Sequence, residues 1–427
     1  MLGDSLPALV SAVPGPASRE WVKRLAAHEC PASTARRERR AELAGLPDAD
    51  PIVWVDAVGA NVRDADGNVF VDLCAGYGVT SVGHRHPEVV AAGQAQLTRL
   101  PHAMGDAFPD PRRILLMEQL CARTGFERVI FGSTGSDAIE AAIKTAVLAT
   151  GRSRVLTFTG AFHGLASASL AAIGYQVEAY RGPFEGMLGA HTTLAPFGGA
   201  WPDLHDFAAV LIEPVQGRGG MRAPPPGWLG DLHAAAHAAG ALVIHDEVFC
   251  GLGRTGSFLA ADRERRGTHG SHEVGLRPDL LCLGKALGGG FPLSICLGTS
   301  EAMGAWGHAA GQPSPTQTFL GNPVGCAMAS VVLDLIDREG LVERAARVGA
   351  RWAEALAAVP GVRRVTGRGL MLGVVMDDAP GVTRRMLQRG WIVLPCGERS
   401  EALGLTPPLT IAEPLLEAAV SALAASM

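Results

Sequence analysis

Lys285 closes an apolar run, Leu280-Leu281-Cys282-Leu283, with Gly284 before it and Gly288, Gly289 and Gly290 close behind. A lysine at the end of a buried strand needs a task. Partial desolvation favours its neutral amine, and a neutral amine attacks an aldehyde. A lone Lys beside a Gly reads equally well as a surface residue on a turn. A second apolar run, Ala241-Leu242-Val243-Ile244-His245, delivers Asp246 and Glu247. Ligands bind at the carboxyl ends of parallel strands. A carboxylate there loses hydration unless a cation or strong donor meets it, and a protonated pyridine nitrogen is one such partner. Helix capping or Mg²⁺ binding are the alternatives for the acidic pair taken alone.

Two further segments carry chemistry. In Phe131-Gly132-Ser133-Thr134-Gly135-Ser136-Asp137-Ala138-Ile139-Glu140 a strand meets a small-residue turn and then a helix. The backbone N–H groups at Gly135 and Ser136, with the hydroxyls of Thr134 and Ser136, form an anion site. Ordinary N-capping by Ser136 or Asp137 explains the segment by itself. In Thr159-Gly160-Ala161-Phe162-His163-Gly164 an aromatic and a histidine sit between glycines, where Phe162 can stack on a planar ring. A strand-end acid, a strand-end lysine, a phosphate turn and an aromatic slab together suit a planar, phosphorylated, pyridine-containing aldehyde.

These residues need a scaffold. Short apolar strands at Val129–Phe131, Val155–Phe158, Ala209–Ile212, Ala241–His245 and Leu280–Leu283 alternate with helices at Asp137–Thr150, Trp228–Ala239 and Gly325–Arg338. That alternation predicts an α/β fold with a mostly parallel sheet covered on both faces. At the start, residues 1–16 read as a loose, proline-rich arm, followed by a charged helix over Arg19–Leu43. Asp66-Gly67-Asn68 between alternating apolar segments marks a β-hairpin. After residue 338 come a helix, a strand at Leu370–Met376, a helix and a strand at Trp391–Pro395, a smaller α+β unit. With 427 residues, a large and a smaller domain are expected.

Composition narrows the partners. A net charge of −5 gives no electrostatic basis for binding nucleic acid or an anionic membrane. No apolar run reaches membrane-spanning length, and the N-terminus lacks the basic start and apolar stretch of a signal peptide. The eight cysteines show no CxxC spacing, so no zinc or other metal site is expected. Reduced, mostly buried thiols fit a cytoplasmic protein.

Over residues 52 to 413 the sequence resembles the class III (ω-type) aminotransferases of pyridoxal-phosphate (PLP) fold type I. The matching motifs are Gly83-His84-Arg85-His86-Pro87, Thr134 to Glu140, Phe162-His163-Gly164, Ile212-Glu213-Pro214-Val215-Gln216-Gly217 and Asp246-Glu247-Val248. Gly253-Arg254-Thr255-Gly256, Gly284-Lys285-Ala286, Thr318-Phe319-Leu320-Gly321-Asn322-Pro323 and Gly367-Arg368-Gly369-Leu370 complete the set. The resemblance implies a seven-stranded-type, mostly parallel sheet in a large domain spanning 81–335. A smaller α+β domain would then be built from 1–80 and 336–427. It implies that Lys285 is the Schiff-base lysine and proton shuttle and that Asp246 pairs with the pyridine nitrogen. Val248 and Phe162 would pack on the two ring faces, and Gly135 and Ser136 would bind the phosphate. His163 and the buried acid Glu213 would lie near the ring. Thr318 would reach the phosphate of a neighbouring subunit, which implies a homodimer. The implied reaction moves an amino group between a small-molecule amine or amino acid and a keto acid or aldehyde.

The sequence departs from that pattern on the substrate side. Thr366 stands where many relatives carry an arginine, Arg218 where they carry a gating glutamate, Leu165 where some carry a second arginine, and Phe249 where a glutamine is common. A GABA or ornithine specificity is therefore disfavoured. Arg218 becomes a candidate for carboxylate binding, with a solvated or structurally paired arginine as the alternative, and Tyr77 a candidate pocket wall. The same residues leave open an aminomutase or a carbon–carbon bond-forming or eliminating enzyme, since one fold hosts several chemistries.

Overall fold

The structure, a computed structural model, describes residues 2–43, 51–265, 276–308 and 317–427. Its largest sheet has seven strands. In spatial order they are Arg128–Gly132, Ser294–Gly298, Leu280–Leu283, Leu242–Asp246, Phe207–Ile212, Arg154–Phe158 and Thr192–Ala195. All neighbours are parallel except Ser294–Gly298, which runs antiparallel to the strands on both its sides. The expected mostly parallel α/β sheet is thus present.

Side-chain alternation explains why helices cover both faces. Leu211, Ile244, Leu280 and Cys282 pack with Ala138, Ile139, Ala142 and Ala146 of the helix Gly135–Thr150. Val210, Ile212 and Val243 point the other way, onto Leu229, Leu232 and Ala236 of the helix Trp228–Ala238. Two strands of this sheet have no counterpart in the sequence reading. Thr192–Ala195 is a short, partly exposed edge strand. Ser294–Gly298 follows the Lys285 segment after only a single short helical turn, Lys285–Gly288, so the strand–helix alternation that marks its neighbours is missing there.

The chain ends build two smaller sheets. The hairpin strands Trp54–Val58, Asn61–Asp64 and Val69–Asp72 are extended by Trp391–Ile392, which pairs parallel to Val71 and Asp72. A four-stranded antiparallel sheet joins Arg364–Arg368, Met371–Val375, Ala402–Leu405 and Leu394–Cys396. The expected single strand Trp391–Pro395 is therefore two strands in two sheets, divided at Val393. The expected charged helix is also two, Pro16–Ala26 and Pro31–Leu43. Pro31 restricts the residue before it to extended backbone, so one helix cannot run through.

The arm is not loose. Gly3 and Ser5 donate their backbone N–H groups to Asn61 Oδ1 at 3.0 and 2.8 Å, and Val10 and Ser11 donate to Asn68 Oδ1 at 2.8 and 2.9 Å. Ala17 and Ser18 donate to the Asp66 carboxylate at 2.6 and 2.9 Å. The hairpin's turn residues thus accept from a segment some fifty residues upstream, a long-range contact invisible to local pattern. Among the described residues no helix is long and apolar enough to cross a membrane.

One buried pair gives the fold a pH dependence. His233 Nε2 and His245 Nε2 lie 2.8 Å apart inside the apolar layer behind the central strand. Burial pushes His233 down to about 4, with His237 adding to the shift, and pushes His245 well below the usual histidine range, with His233 adding to it. Both are neutral in the folded chain, whereas the unfolded chain takes up protons below pH about 6.5. The stabilisation is therefore complete above that pH and is lost as pH falls towards 4. The shift on His233 alone corresponds to about 3 kcal/mol. Tm measured from pH 7 to 4 is expected to fall, with a shallower slope in His233→Gln; equal slopes would contradict the assignment.

Candidate active site

Five turns leave the carboxyl ends of five strands that point the same way, and they converge on one cavity of about 340 Å³. They carry Thr134 to Ser136, Phe162 and His163, Glu213 to Arg218, Asp246 to Phe249, and Lys285. The far wall comes from the smaller sheets and their loops, with Cys74, Tyr77, Leu394, Cys396 and Thr406.

Asp246 and Lys285 end neighbouring strands whose register pairs Asp246 with Cys282. Asp246 is buried, and its carboxylate is held by two donors. His163 Nδ1 lies 2.8 Å from Oδ2, and the Val248 N–H donates to Oδ1 at 3.1 Å. A carboxylate only accepts, so the proton of this bond sits on Nδ1. Behind it, Nε2 meets the buried Thr157 hydroxyl at 3.2 Å. The imidazole is thus fixed at both ends. Glu247, the other acid of the pair, turns away and accepts the N–H groups of Ala260 and Ala261 at 2.6 and 3.1 Å.

Lys285 adopts a left-handed backbone (φ 43°) just past the strand, a costly conformation for a non-glycine residue that concentrates at functional sites. Its Nζ lies 4.0 Å over the ring of Phe249. Burial pulls its ammonium below the usual lysine range, against the attraction of Asp246 and Glu213. Phe249 is wedged between two glycines. A Cβ on Gly78 would fall 2.5 Å, and one on Gly217 2.3 Å, from the ring.

The phosphate-type turn is capped by Thr134, not by Ser136 or Asp137. Asp137 N–H donates to Thr134 Oγ1 at 3.3 Å, while the Asp137 carboxylate accepts the N–H groups of Ser133 and Thr134 at 2.9 and 2.8 Å. That leaves the N–H groups of Gly135 and Ser136, which no turn of their own helix can satisfy, open to the cavity both residues line. Gly135 also lets the backbone approach Val248, whose Cγ1 would be 3.0 Å from a Cβ there.

Glu213 ties two walls together. Its Oε1 accepts from Phe162 N–H and its Oε2 from Gly217 N–H, each at 2.9 Å. Burial raises its carboxyl above the usual range; Asp246 adds to the rise, and His163 and the two N–H groups oppose it. The next residue after Gly217, Arg218, lays its guanidinium 4.6 Å over the Phe162 ring. Of the candidate catalytic, cofactor and pocket residues, only Thr318 lies outside this cavity, and it is exposed; Glu247, Leu165 and Thr366 do not line it either. Thr366, in the departing position, is spent on backbone: its hydroxyl lies 2.8 Å from Gly220 O and 3.1 Å from Gly373 O. The sequence reading missed Thr157, Cys74, Met221, Leu394, Cys396 and Thr406; Thr157 and Leu394 lie on strands it expected, but nothing local marks any of the six as facing a ligand.

A cavity with a strand-end lysine, a buried acid and an open helix N-terminus defines a site for a phosphorylated aldehyde on a parallel α/β sheet. Comparison with known proteins agrees. The family profile "Aminotransferase class-III" matches residues 46–200 and 202–427, and the chain belongs to that family. It is 37% identical over 393 residues to a protein named acetylornithine aminotransferase of Corynebacterium efficiens, covering 88% of this chain and 92% of that one. The ornithine aminotransferase from Toxoplasma gondii ME49 superposes with a TM-score of 0.79 at 28% identity, covering 89% of this chain and 91% of that one. A PLP-bound amine transaminase from an uncultivated Pseudomonas species gives 0.77 at 29%, covering 88% and 95%. The chain is accordingly a PLP-dependent aminotransferase of fold type I.

The glycine wedge is testable. Gly217→Ala places a methyl on the Phe249 ring and is expected to destabilise the protein by about 1–3 kcal/mol in urea unfolding. Adding Phe249→Leu should recover most of that loss. No recovery would show that the ring is not what Gly217 makes room for.

Proposed function

We propose that Lys285 and Asp246 are the catalytic pair of this aminotransferase. One observation carries it: a lysine amine and a buried, hydrogen-bonded carboxylate reach a common cavity from the ends of two paired strands. PLP, when bound, supplies an aldehyde for the lysine and an electron-withdrawing pyridinium ring. The residues fit such a group. Asp246 would hold a proton on the ring nitrogen, with His163 and Thr157 keeping the carboxylate in place. Gly135 and Ser136 would donate to the phosphate. Phe162 and Val248 would bound the ring's two faces, and Glu213 holds Phe162. Lys285, whose neutral amine is favoured by loss of solvent, removes and returns the proton at the substrate carbon. Tyr77 and Arg218 border the space left for an amine or amino acid in one half-reaction and a keto acid in the other.

Thr318 belongs to the site of a second copy in this reading. Its exposure beside exposed apolar residues supports a homodimer: Phe319 packs on His102 with ring centroids 5.5 Å apart, and Leu100, Met104, Phe108 and Leu115 are exposed on the neighbouring segments. Contiguous apolar surface of this kind marks an interface. The large part 81–335 would bind the cofactor, with 1–80 and 336–427 forming the smaller part. Eight free cysteines suit a cytoplasmic setting.

Borohydride treatment of the PLP-loaded protein should label Lys285 in the wild type and nothing in Lys285→Ala, which should show no half-reaction. Asp246→Asn should keep the label but slow amine-to-keto conversion by about 10²–10³-fold. Labelling elsewhere, or an unaffected Asp246→Asn, would reject the pair. Light scattering should give a dimer, and Thr318→Ala should weaken PLP affinity without dissociating it; a monomer with unchanged affinity would refute the shared site.

A further inference from the structure

Arg218 stands out among the groups that line the cavity. It follows Gly217 on the loop clamped by Glu213, and its guanidinium carbon lies over the Phe162 ring, 4.6 Å from the centroid. Its backbone is fixed as well, since its carbonyl accepts from Gly397 N–H at 2.8 Å. Yet among the described residues its side chain has no hydrogen-bond or ion-pair partner. The acids nearby are already engaged. Asp246 is held by His163 and Val248, and Glu213 by Phe162 and Gly217. Glu398 at the rim accepts from Gln176 N–H at 3.1 Å.

A stacked guanidinium keeps its edge free. Cation–π contact uses the face of the group, while the N–H donors lie in its plane and suit a carboxylate held by two parallel bonds. Phe162 thus pre-orients the fork and lowers the cost of fixing a long side chain on binding. A partly buried, unpaired arginine loses hydration without return, and a bound anion offsets that loss. The rest of the wall is largely apolar, with Met221, Leu394 and Cys396 facing the same space.

Resting on Lys285 as the reacting amine, we infer that Arg218 anchors the carboxylate of the substrate and that the enzyme's substrates are amino and oxo acids, not simple amines. The reacting carbon lies at Lys285 and the carboxylate at the Phe162–Arg218 stack, with the intervening carbon chain against the apolar wall. The anchor and the cofactor wall share one support, because Glu213 holds both Phe162 and the Arg218 loop.

The test pairs each amino acid in a panel with its carboxamide, which is the same amine without the negative charge. In the PLP-loaded wild type the acid should be preferred. In Arg218→Ala the ratio of kcat/KM for acid to kcat/KM for amide should fall about 10- to 100-fold, chiefly through KM. Arg218→Lys keeps the charge without the fork, and its ratio should lie between the two. Calorimetry with a non-reacting short-chain monocarboxylate should show binding to the wild type and a matching loss in Arg218→Ala. The visible band of the lysine-bound cofactor reports whether the site is intact in each variant. An acid-to-amide ratio unchanged in both variants, or a wild type that takes the amide as well as the acid, overturns the inference. A wild type that forms no lysine-bound band while the monocarboxylate binds only when Arg218 is present would reject Lys285 and keep the anchor.

Discussion

A carboxylate placed inside protein must be met by donors or positive charge, and the burial of Asp246 imposes that demand on everything around it. His163 Nδ1 and the Val248 N–H meet part of it. Thr157, on the strand that leads into the His163 turn, fixes the imidazole from behind. What is left of the acid's field is directed into the cavity, where, in the proposed reading, a protonated ring nitrogen would complete the balance. The same field acts on Lys285, whose ammonium burial disfavours and Asp246 favours. The lysine and the acid are therefore one electrostatic unit, set by the pairing of two strands.

The scaffold makes that unit possible by geometry. Parallel strands bring their carboxyl ends to one edge of the sheet, so turns separated by about 150 residues in sequence meet in a single hollow. Helices on both faces keep the strands dry, and the buried neutral His233–His245 pair shows how dry the layer behind Asp246 is. The two ends of the chain then roof the hollow. Trp391–Ile392 extends the sheet of the N-terminal hairpin, and Leu394–Cys396, one residue further on, enters a different sheet and lines the cavity.

Close packing at glycine tunes the interior. Phe249 fits under Lys285 only because Gly78 and Gly217 have no side chains. Glu213 spans the gap between the Phe162 turn and the Gly217 turn, so an aromatic wall and an arginine edge are held at a fixed separation. In the proposed reading, a cavity assembled this way has a stiff cofactor side and a substrate side whose character depends on very few residues, Arg218 foremost among them.

The five parallel strands whose turns meet at the cavity, the main helices and the motifs around Asp246, Lys285, Gly135 and Phe162 were legible in the sequence. Apolar runs ending in charged or small residues report directly on buried strands and the turns beyond them. Local pattern did not decide which acid of Asp246-Glu247 faces the ligand, although the resemblance singled out Asp246, since adjacent side chains of a strand point opposite ways and only its docking fixes which face meets the cavity. It did not show that Thr134 is the cap, that the proline-rich arm is pinned by Asn61 and Asn68, or that Trp391–Pro395 divides between two sheets. Nor could it pair Arg218 with Phe162. Those outcomes rest on contacts between residues far apart in the chain, and such contacts exist only after the sheet has fixed where each turn ends.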